Sequence, residues 1–261
     1  MQRESKWMIC QRWLLQKSRK MTKRESDRLY TLLLRLNGPL QSWGSESLYD
    51  HRDTDYYPTK SGVLGMVAAA LGLKRGTSLE KLNTLQFGVR IDWQGEYLKD
   101  FQITDMGKKL NKNLSTRVYL SDATFLVGLS TKDKEFLTEI ETALRHPKYA
   151  IFLGRKACPP TMPLDMGIRE KELYETLYSY PWLLPRWRQD RLLWKKNKTV
   201  LRIIMESTDG ALKKDVPISF ESNDRRYGYR NVKDMSGRVV CKENMLKETE
   251  HDPMKELGVS S

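Results

Sequence analysis

Hydrophobic and polar positions along the chain predict strands and helices from about residue 29 onwards. A strand is expected from Leu29 to Leu36, where an apolar run ends before Gly38-Pro39 because proline donates no hydrogen bond to a neighbouring strand. Apolar and polar residues alternate over 85–92, which predicts a half-buried strand, and the apolar segment 122–129 predicts another. The short segment 149–153 is interpreted as a further strand.

Two helices are predicted between these strands. The first follows Pro58, with Thr59 or Ser61 as its N-terminal cap, and is built largely from small residues. Each interior glycine costs roughly 1 kcal/mol against alanine, so the pattern indicates a close contact. Two contacts fit: an adjacent strand, or a nucleic-acid backbone at the helix N-terminus beside Lys60, where unpaired amides bind phosphate. The second helix, over 133–145, is amphipathic.

A long hairpin is expected before the strand at 122–129. Its arms alternate within 98–121, and its tip over 107–113 is basic and polar. Such a tip is either a solvated loop or an arm that reaches along a nucleic acid. The order strand, helix, strand, hairpin, strand, helix, strand is that of a ferredoxin-like βαββαβ domain, so the expected fold class is α+β and RRM-like. The aromatic strand signature with which RNA-recognition domains stack bases is missing.

Three parts of the chain follow from this interpretation. Residues 1–28 are a basic extension, either a short arm or, as we favour, an artefact of an upstream start codon. Residues 29–163 are the ferredoxin-like domain, with the hairpin as a protruding thumb at about 98–121. Residues 164–261 are a smaller, β-rich C-terminal part with a charged tail that is expected to be mobile.

Charge narrows the class of partner. Lys and Arg outnumber Asp and Glu by 46 to 33, a formal net charge of +13, which points to nucleic acid ahead of an acidic protein or a membrane surface. Three scattered cysteines suit a reducing cytoplasm better than a disulfide framework or a zinc site. No apolar run reaches the length of about 18 residues that a spanning helix needs, so no membrane association is expected.

Four segments could carry binding chemistry. The loop over 44–56 holds three Asp and one His, which suit a metal site or, as we favour, a solvated turn. Arg155 and Lys156 follow a glycine and could grip a phosphate or form an ordinary basic turn. The Trp- and Arg-rich stretch 182–198 suits RNA stacking and a protein interface equally, and 224–230 is a basic aromatic turn.

Three linked motifs resemble those of the CasD family, the small subunit of the type I-E CRISPR surveillance complex Cascade. They are LRLNGPLQSWG at 34–44, PTKSGVLG at 58–65 and LGRKACP at 153–159, in matching order and spacing. The resemblance runs from about Leu29 to about Pro163 and more loosely to the low 240s. It implies a cytoplasmic, non-catalytic protein that caps the 5′ handle of the guide RNA in antiviral defence, without a cofactor.

The resemblance also implies partners and contact residues. The partners are the guide RNA, the first backbone subunit and the large subunit that reads the PAM, with target DNA reached only through the complex. The motifs carry over six RNA-binding residues, namely Gln41, Trp43, Lys60, Ser61, Arg155 and Lys156. The thumb, which carries no motif, adds Lys108, Lys109, Lys112 and Arg117.

An endoribonuclease is the alternative, because a related type I-C branch of the family cuts repeat RNA with a Tyr, Lys and His set. Metal-free RNA cleavage needs a general base and a general acid, and imidazole is the usual choice. Tyr56 or Tyr57 could supply the Tyr. The three histidines, His51, His146 and His251, are not adjacent to a Lys and lie outside the thumb. We therefore expect a subunit that caps RNA, does not cleave it and has no metal site.

Overall fold

A computed structural model of the chain describes residues 28–44, 51–104, 113–221 and 223–241. Its strands are β1 (Tyr30–Asn37), β2 (Leu40–Gln41), β3 (His51–Arg52), β4 (Gln86–Trp93), β5 (Glu96–Thr104), β6 (Asn113–Ser121), β7 (Thr124–Thr131), β8 (Asp165–Arg169), β9 (Lys198–Phe220) and β10 (Arg225–Cys241). Its helices are α1 (Lys60–Leu71), α2 (Glu80–Asn83), α3 (Lys134–Arg145), α4 (Leu173–Ser179) and α5 (Arg186–Lys196). The fold is mixed α/β with largely antiparallel sheets.

The main sheet has six strands in the order β10-β9-β4-β7-β1-β8, and each neighbouring pair is antiparallel. Strand β1 lies between β7 and β8, and its central residues are buried on both faces. Leu32 and Leu34 join the core cluster that contains α1 and α3, whereas Leu33 joins the cluster that contains α4. A strand covered on both faces favours a continuous apolar run over an alternating pattern.

Both predicted helices are confirmed, and their caps explain where they begin. The Thr59 side chain accepts a hydrogen bond from the Gly62 backbone N–H, and Asp133 does the same for Phe136 at the start of α3. Helix α3 buries one apolar face, as its pattern predicts. Helix α1 is buried nearly all round, so its small residues reflect close packing on several sides.

The predicted strand at 149–153 is wrong. The Tyr149 N–H donates to the Ala69 carbonyl at the end of α1, and the Leu153 N–H donates to the Cys158 carbonyl within a turn. The Leu153 carbonyl accepts from the Ser42 N–H, so the backbone groups of this segment are used by α1, by its own turn and by Ser42. The place beside β1 belongs to β8 instead, where Leu32 is opposite Ile168.

The predicted hairpin is confirmed in its two arms. Strands β5 and β6 pair along their whole length, from Glu96 opposite Ser121 to Thr104 opposite Asn113. The other edge of β6 takes the short strands β2 and β3. The tip over 105–112 lies outside the described residues, as do residues 1–27 of the basic extension and the tail beyond Cys241.

The C-terminal hairpin of β9 and β10 extends the main sheet past β4, with Val89 opposite Ile204. Its far end returns over α1, where Asp215 and Phe220 meet the helix. The hairpin therefore forms one wall of whatever site lies at the start of α1. No helix in the described part of the chain combines the length and apolar character that crossing a membrane requires.

Candidate nucleic-acid interface

A groove runs along α1 from its N-terminal end. It consists of a cavity of about 450 Å³ at the first turn and an adjoining cleft of about 600 Å³ along the helix. The two share their walls, so we treat them together as the α1 groove. The shared lining residues are Ser61, Gly62, Gly154, Phe220, Arg225 and Tyr227.

The α1 groove is cationic. Among the described residues that line it there is no Asp or Glu, and the cations come from four separate segments of the chain. These cations are Arg52, Lys74, Arg75, Arg155, Lys156 and Arg225. A concave surface with charge of one sign attracts a polyanion, and aromatic residues such as Phe220 and Tyr227 add surfaces on which bases stack.

Arg155 is the best positioned of these cations. Its guanidinium lies 4.6 Å from the centre of the Tyr119 ring, and Nη2 donates to the Arg52 carbonyl at 2.8 Å. Nη1 is buried with no hydrogen-bond partner among the described residues. A guanidinium held on two sides at the wall of a cationic cavity is pre-positioned to bind a phosphate there.

Gly154 explains why this loop can approach the groove. Its φ is +87°, and a Cβ at this position would lie 1.6 Å from the Ser42 carbonyl oxygen. No side chain fits there, so glycine is required for the loop to lie against the end of the first motif. The same contact places Arg155 beside the groove.

Gln41 and Trp43 support the groove from inside. Gln41 is fully buried and donates to the Ala123 carbonyl at 2.7 Å, while its Oε1 accepts a hydrogen bond from Trp43 Nε1 at 3.1 Å. The Trp43 ring is 1% exposed and lies under Gly62, where a Cβ would come within 2.8 Å of it. Trp43 lines the cavity, whereas Gln41 holds its ring in place.

Lys60 is directed away from the groove, while its neighbour Ser61 lines it. The Lys60 ammonium is buried and donates to Glu206 at 2.8 Å and to the Leu85 carbonyl at 3.0 Å. Its backbone N–H donates to the Asp215 carboxylate at 3.0 Å. The anion that the helix N-terminus favours is therefore a side chain of the protein itself.

Arg117, the predicted thumb residue that the structure describes, does not line the α1 groove. Arg117 lies in β6 in register with Arg52, and its half-buried side chain leaves Nε without a described hydrogen-bond partner. Lys108, Lys109 and Lys112 lie outside the described residues. The structure thus brings together Trp43, Ser61, Arg155 and Lys156 of the predicted set.

Sequence reasoning missed Arg52, Lys74, Arg75 and Arg225. Arg225 belongs to the basic aromatic turn over 224–230, and its distance along the chain from the motifs gives no sign of its place in the groove. Arg52 lies in the Asp-rich loop over 44–56, which the sequence does not link to the motifs. Lys74 and Arg75 come directly after α1 and belong to none of the three motifs.

Neither the metal site nor the nuclease set, the two less favoured alternatives from the sequence, is assembled at this groove among the residues whose side chains are described. No three His, Cys, Asp or Glu residues gather in a metal-binding arrangement within the described part of the chain. Tyr56 packs edge-on against Tyr97 at 5.3 Å, and burial together with Tyr56 raises the pKa of the Tyr97 phenol. His146 lies at the end of α3 and lines a separate shallow cavity.

Comparison with known proteins agrees with the motifs. A family model described as CRISPR-associated protein (Cas_Cas5) matches residues 31–233. The CRISPR system Cascade subunit CasD of Escherichia coli (strain K12) is 36% identical over 159 residues, which are 52% of this chain and 70% of that protein.

Two solved structures are also similar. One chain of a "CRISPR RNA-guided surveillance complex" is 31% identical with a TM-score of 0.67, covering 82% of this chain and 92% of that one. A "Crystal structure of Cas protein" is 38% identical with a TM-score of 0.62, and the match covers 82% of this chain and 96% of that chain. Since the family model spans far more than half of the sequence, the chain belongs to the CRISPR-associated Cas5 family.

Proposed function

We propose that the chain is a non-catalytic RNA-binding subunit of a type I-E CRISPR surveillance complex in the cytoplasm. It caps the 5′ handle of the guide RNA in antiviral defence. The CasD relative and the surveillance-complex neighbour support this assignment. The observation that carries it is the α1 groove, whose described lining is cationic and aromatic and lacks carboxylates.

The proposed fold is ferredoxin-like. Strands β4, β7, β1 and β8 are adjacent in that order, with α1 between β1 and β4 in the chain and α3 between β7 and β8. Two interleaved βαβ units produce this order. The β5–β6 hairpin is then an insertion, the thumb. The division into domains at residue 163 stays a prediction, and the pairing of β8 with β1 favours extending the first unit to about residue 169.

In this proposal the handle RNA lies in the α1 groove. Arg155, Lys156 and Arg225 contact its phosphates, and Ser61 and the edge of Trp43 lie beneath it. Gln41 and Lys60 shape the groove without touching RNA, because their polar groups are bonded within the protein. The predicted cations of the thumb, Lys108, Lys109, Lys112 and Arg117, contact the RNA beyond the handle.

The other subunits are proposed to dock on the thumb and the surrounding surface. Phe101 and Ile103 on β5 and Leu114 on β6 are more than half exposed, which suits contacts with a backbone or large subunit. We propose no catalytic role. Among the residues whose side chains are described, the α1 groove is lined by no His that could serve as the general acid or base of RNA cleavage.

The test uses end-labelled repeat RNA and mature guide RNA in EDTA, with binding and cleavage followed on native and denaturing gels. The double variant Arg155→Gln/Arg225→Gln should weaken binding of handle-bearing RNA and reduce the slope of log affinity against log salt by roughly 0.7 per lost contact. Arg202→Gln is the control, since Arg202 is exposed on β9 and paired with Asp234 outside the groove. An unchanged slope would refute the groove assignment, and a discrete cut in the repeat would make the protein a nuclease.

A further inference from the structure

Helix α5 lies on the face of the main sheet opposite the α1 groove. Leu193 of α5 packs against Leu201 of β9 and Val240 of β10. Leu201 points to the same side of β9 as Ile203, which belongs to the α4 core cluster, whereas Ile204 belongs to the α1 cluster. A ligand on the outer surface of α5 therefore cannot be a continuation of one lying in the α1 groove without passing around the sheet.

The outer surface of α5 presents two tryptophans. Trp187 is 64% exposed and Trp194 is 77% exposed, and Arg191 lies between them at helical spacing. The two tryptophans are seven positions apart in the sequence, which is roughly 10 Å along a helix axis. We call Trp187, Arg191 and Trp194 the α5 platform.

Helix α5 has a buried anchor that is separate from the two exposed tryptophans. Leu193 already anchors it, being 1% exposed in its cluster. The segment that leads into α5 is fixed by Asp92, which accepts hydrogen bonds from the Leu183 N–H at 2.7 Å and, through its carbonyl, from Trp182 Nε1 at 3.0 Å. A firmly seated helix with two large aromatic side chains turned outward indicates a surface for a partner.

Charge identifies the kind of partner. Five of the eleven residues of α5 are Lys or Arg and one is Asp. Arg186, Arg191 and Lys195 stand on the exposed surface beside the tryptophans, where they outnumber the one carboxylate of the helix, Asp190, which is exposed on the same face. The centre of a protein interface is depleted in charge, whereas aromatic rings among cations suit bases and phosphates together. A duplex hides the faces of its bases, so the bases must come from a single strand.

We propose that the α5 platform is a second binding site, for single-stranded nucleic acid, separate from the α1 groove. Bases stack on Trp187 and Trp194, and Arg191 and the neighbouring cations contact the phosphates between them. Stacking and phosphate contacts do not distinguish the sugar, so DNA and RNA strands both bind. The proposal does not depend on what the α1 groove binds.

The test measures fluorescence anisotropy of labelled oligo(dT) and oligo(U) with the full chain carrying Arg155→Gln/Arg225→Gln, so that binding in the α1 groove is weakened and the α5 platform is measured. Trp187→Leu/Trp194→Leu keeps apolar side chains but removes the rings, and we expect affinity at least about tenfold weaker for both strands. Trp187→Phe/Trp194→Phe is the matched control and should retain most of the affinity. Both substitutions are at exposed positions, and circular dichroism melting verifies the fold.

A second measurement locates the bound oligonucleotide on the protein. Ultraviolet crosslinking of oligo(dT) followed by peptide mapping should place adducts within 186–196, in the wild type and in the groove variant Arg155→Gln/Arg225→Gln alike. An affinity that the leucine substitutions leave unchanged in the groove variant, or adducts only in 149–156 and 220–227, would overturn the proposal. Absence of any oligonucleotide binding would also overturn it and assign α5 to a protein partner.

Discussion

The Asp215 carboxylate, in β9, accepts a hydrogen bond from the Lys60 backbone N–H at 3.0 Å, so the C-terminal hairpin closes the first turn of α1. Asp215 is fully buried, and Arg230 of β10 binds both of its oxygens. The Lys60 ammonium in turn donates a hydrogen bond to the Glu206 carboxylate of β9. Two carboxylates of one strand thus attach the hairpin to the helix, and the hairpin brings Arg225 to the α1 groove.

Asp215→Asn should lower the free energy of unfolding by up to about 3 to 5 kcal/mol, because it removes the carboxylate that binds the buried guanidinium of Arg230 and leaves only Glu206, at 3.6 Å, as its counter-charge. Urea unfolding measures this change. The control is Asp234→Asn, which breaks the exposed pair with Arg202 and should cost no more than about 1 kcal/mol. Equal effects of the two variants would contradict a central role for Asp215.

Two glycines of α1 should respond to alanine in opposite directions. Gly62→Ala places a Cβ 2.8 Å from the Trp43 ring, which Gln41 prevents from moving, so we expect a loss of about 1 to 3 kcal/mol. Gly65→Ala meets only Phe220, at 3.4 Å, and gains up to about 1 kcal/mol of helix propensity. Thermal melting of both variants distinguishes them, and a stabilised Gly62→Ala would show that the ring gives way.

The buried pair of Arg90 and Asp92 should control how firmly α5 is seated. Arg90 binds both oxygens of Asp92 and the carbonyls of Tyr180 and Pro181, and both side chains are fully buried. Arg90→Met should cost about 3 to 5 kcal/mol. Adding Asp92→Asn should cost less than the sum of the two single changes, because the residues are coupled. Additive losses in a double-mutant cycle would contradict this coupling.

Cys158 should resist thiol reagents in the native protein. Burial raises the pKa of its thiol despite nearby Arg155, so the reactive thiolate is scarce at a pH of about 8.5, where an ordinary cysteine is half ionised. Mass spectrometry after alkylation should find half-buried Cys241 modified first and Cys158 modified only after unfolding. Rapid native labelling of Cys158 would show that its loop opens.

The elements that local patterns could predict are those whose ends and faces are set nearby in sequence. Thr59 and Asp133 cap α1 and α3 from three residues away, and the arms of the β5–β6 hairpin follow each other in the chain and pair directly. The prediction of a strand at 149–153 was wrong because a short apolar run suits a strand and a buried loop equally. Its partners, Ala69 and Ser42, are far away in the sequence.

For the site, the sequence by itself determined the family motifs, the glycine before Arg155 and the surplus of cations. Only the tertiary structure decided which cations converge, because Arg52, Arg155 and Arg225 come from separate segments. It also decided that Lys60, although next to Ser61, faces inward: the two carboxylates that bind it lie 146 and 155 residues later. The direction in which a side chain of a buried helix points depends on what packs around the helix, and no local sequence pattern carries that information.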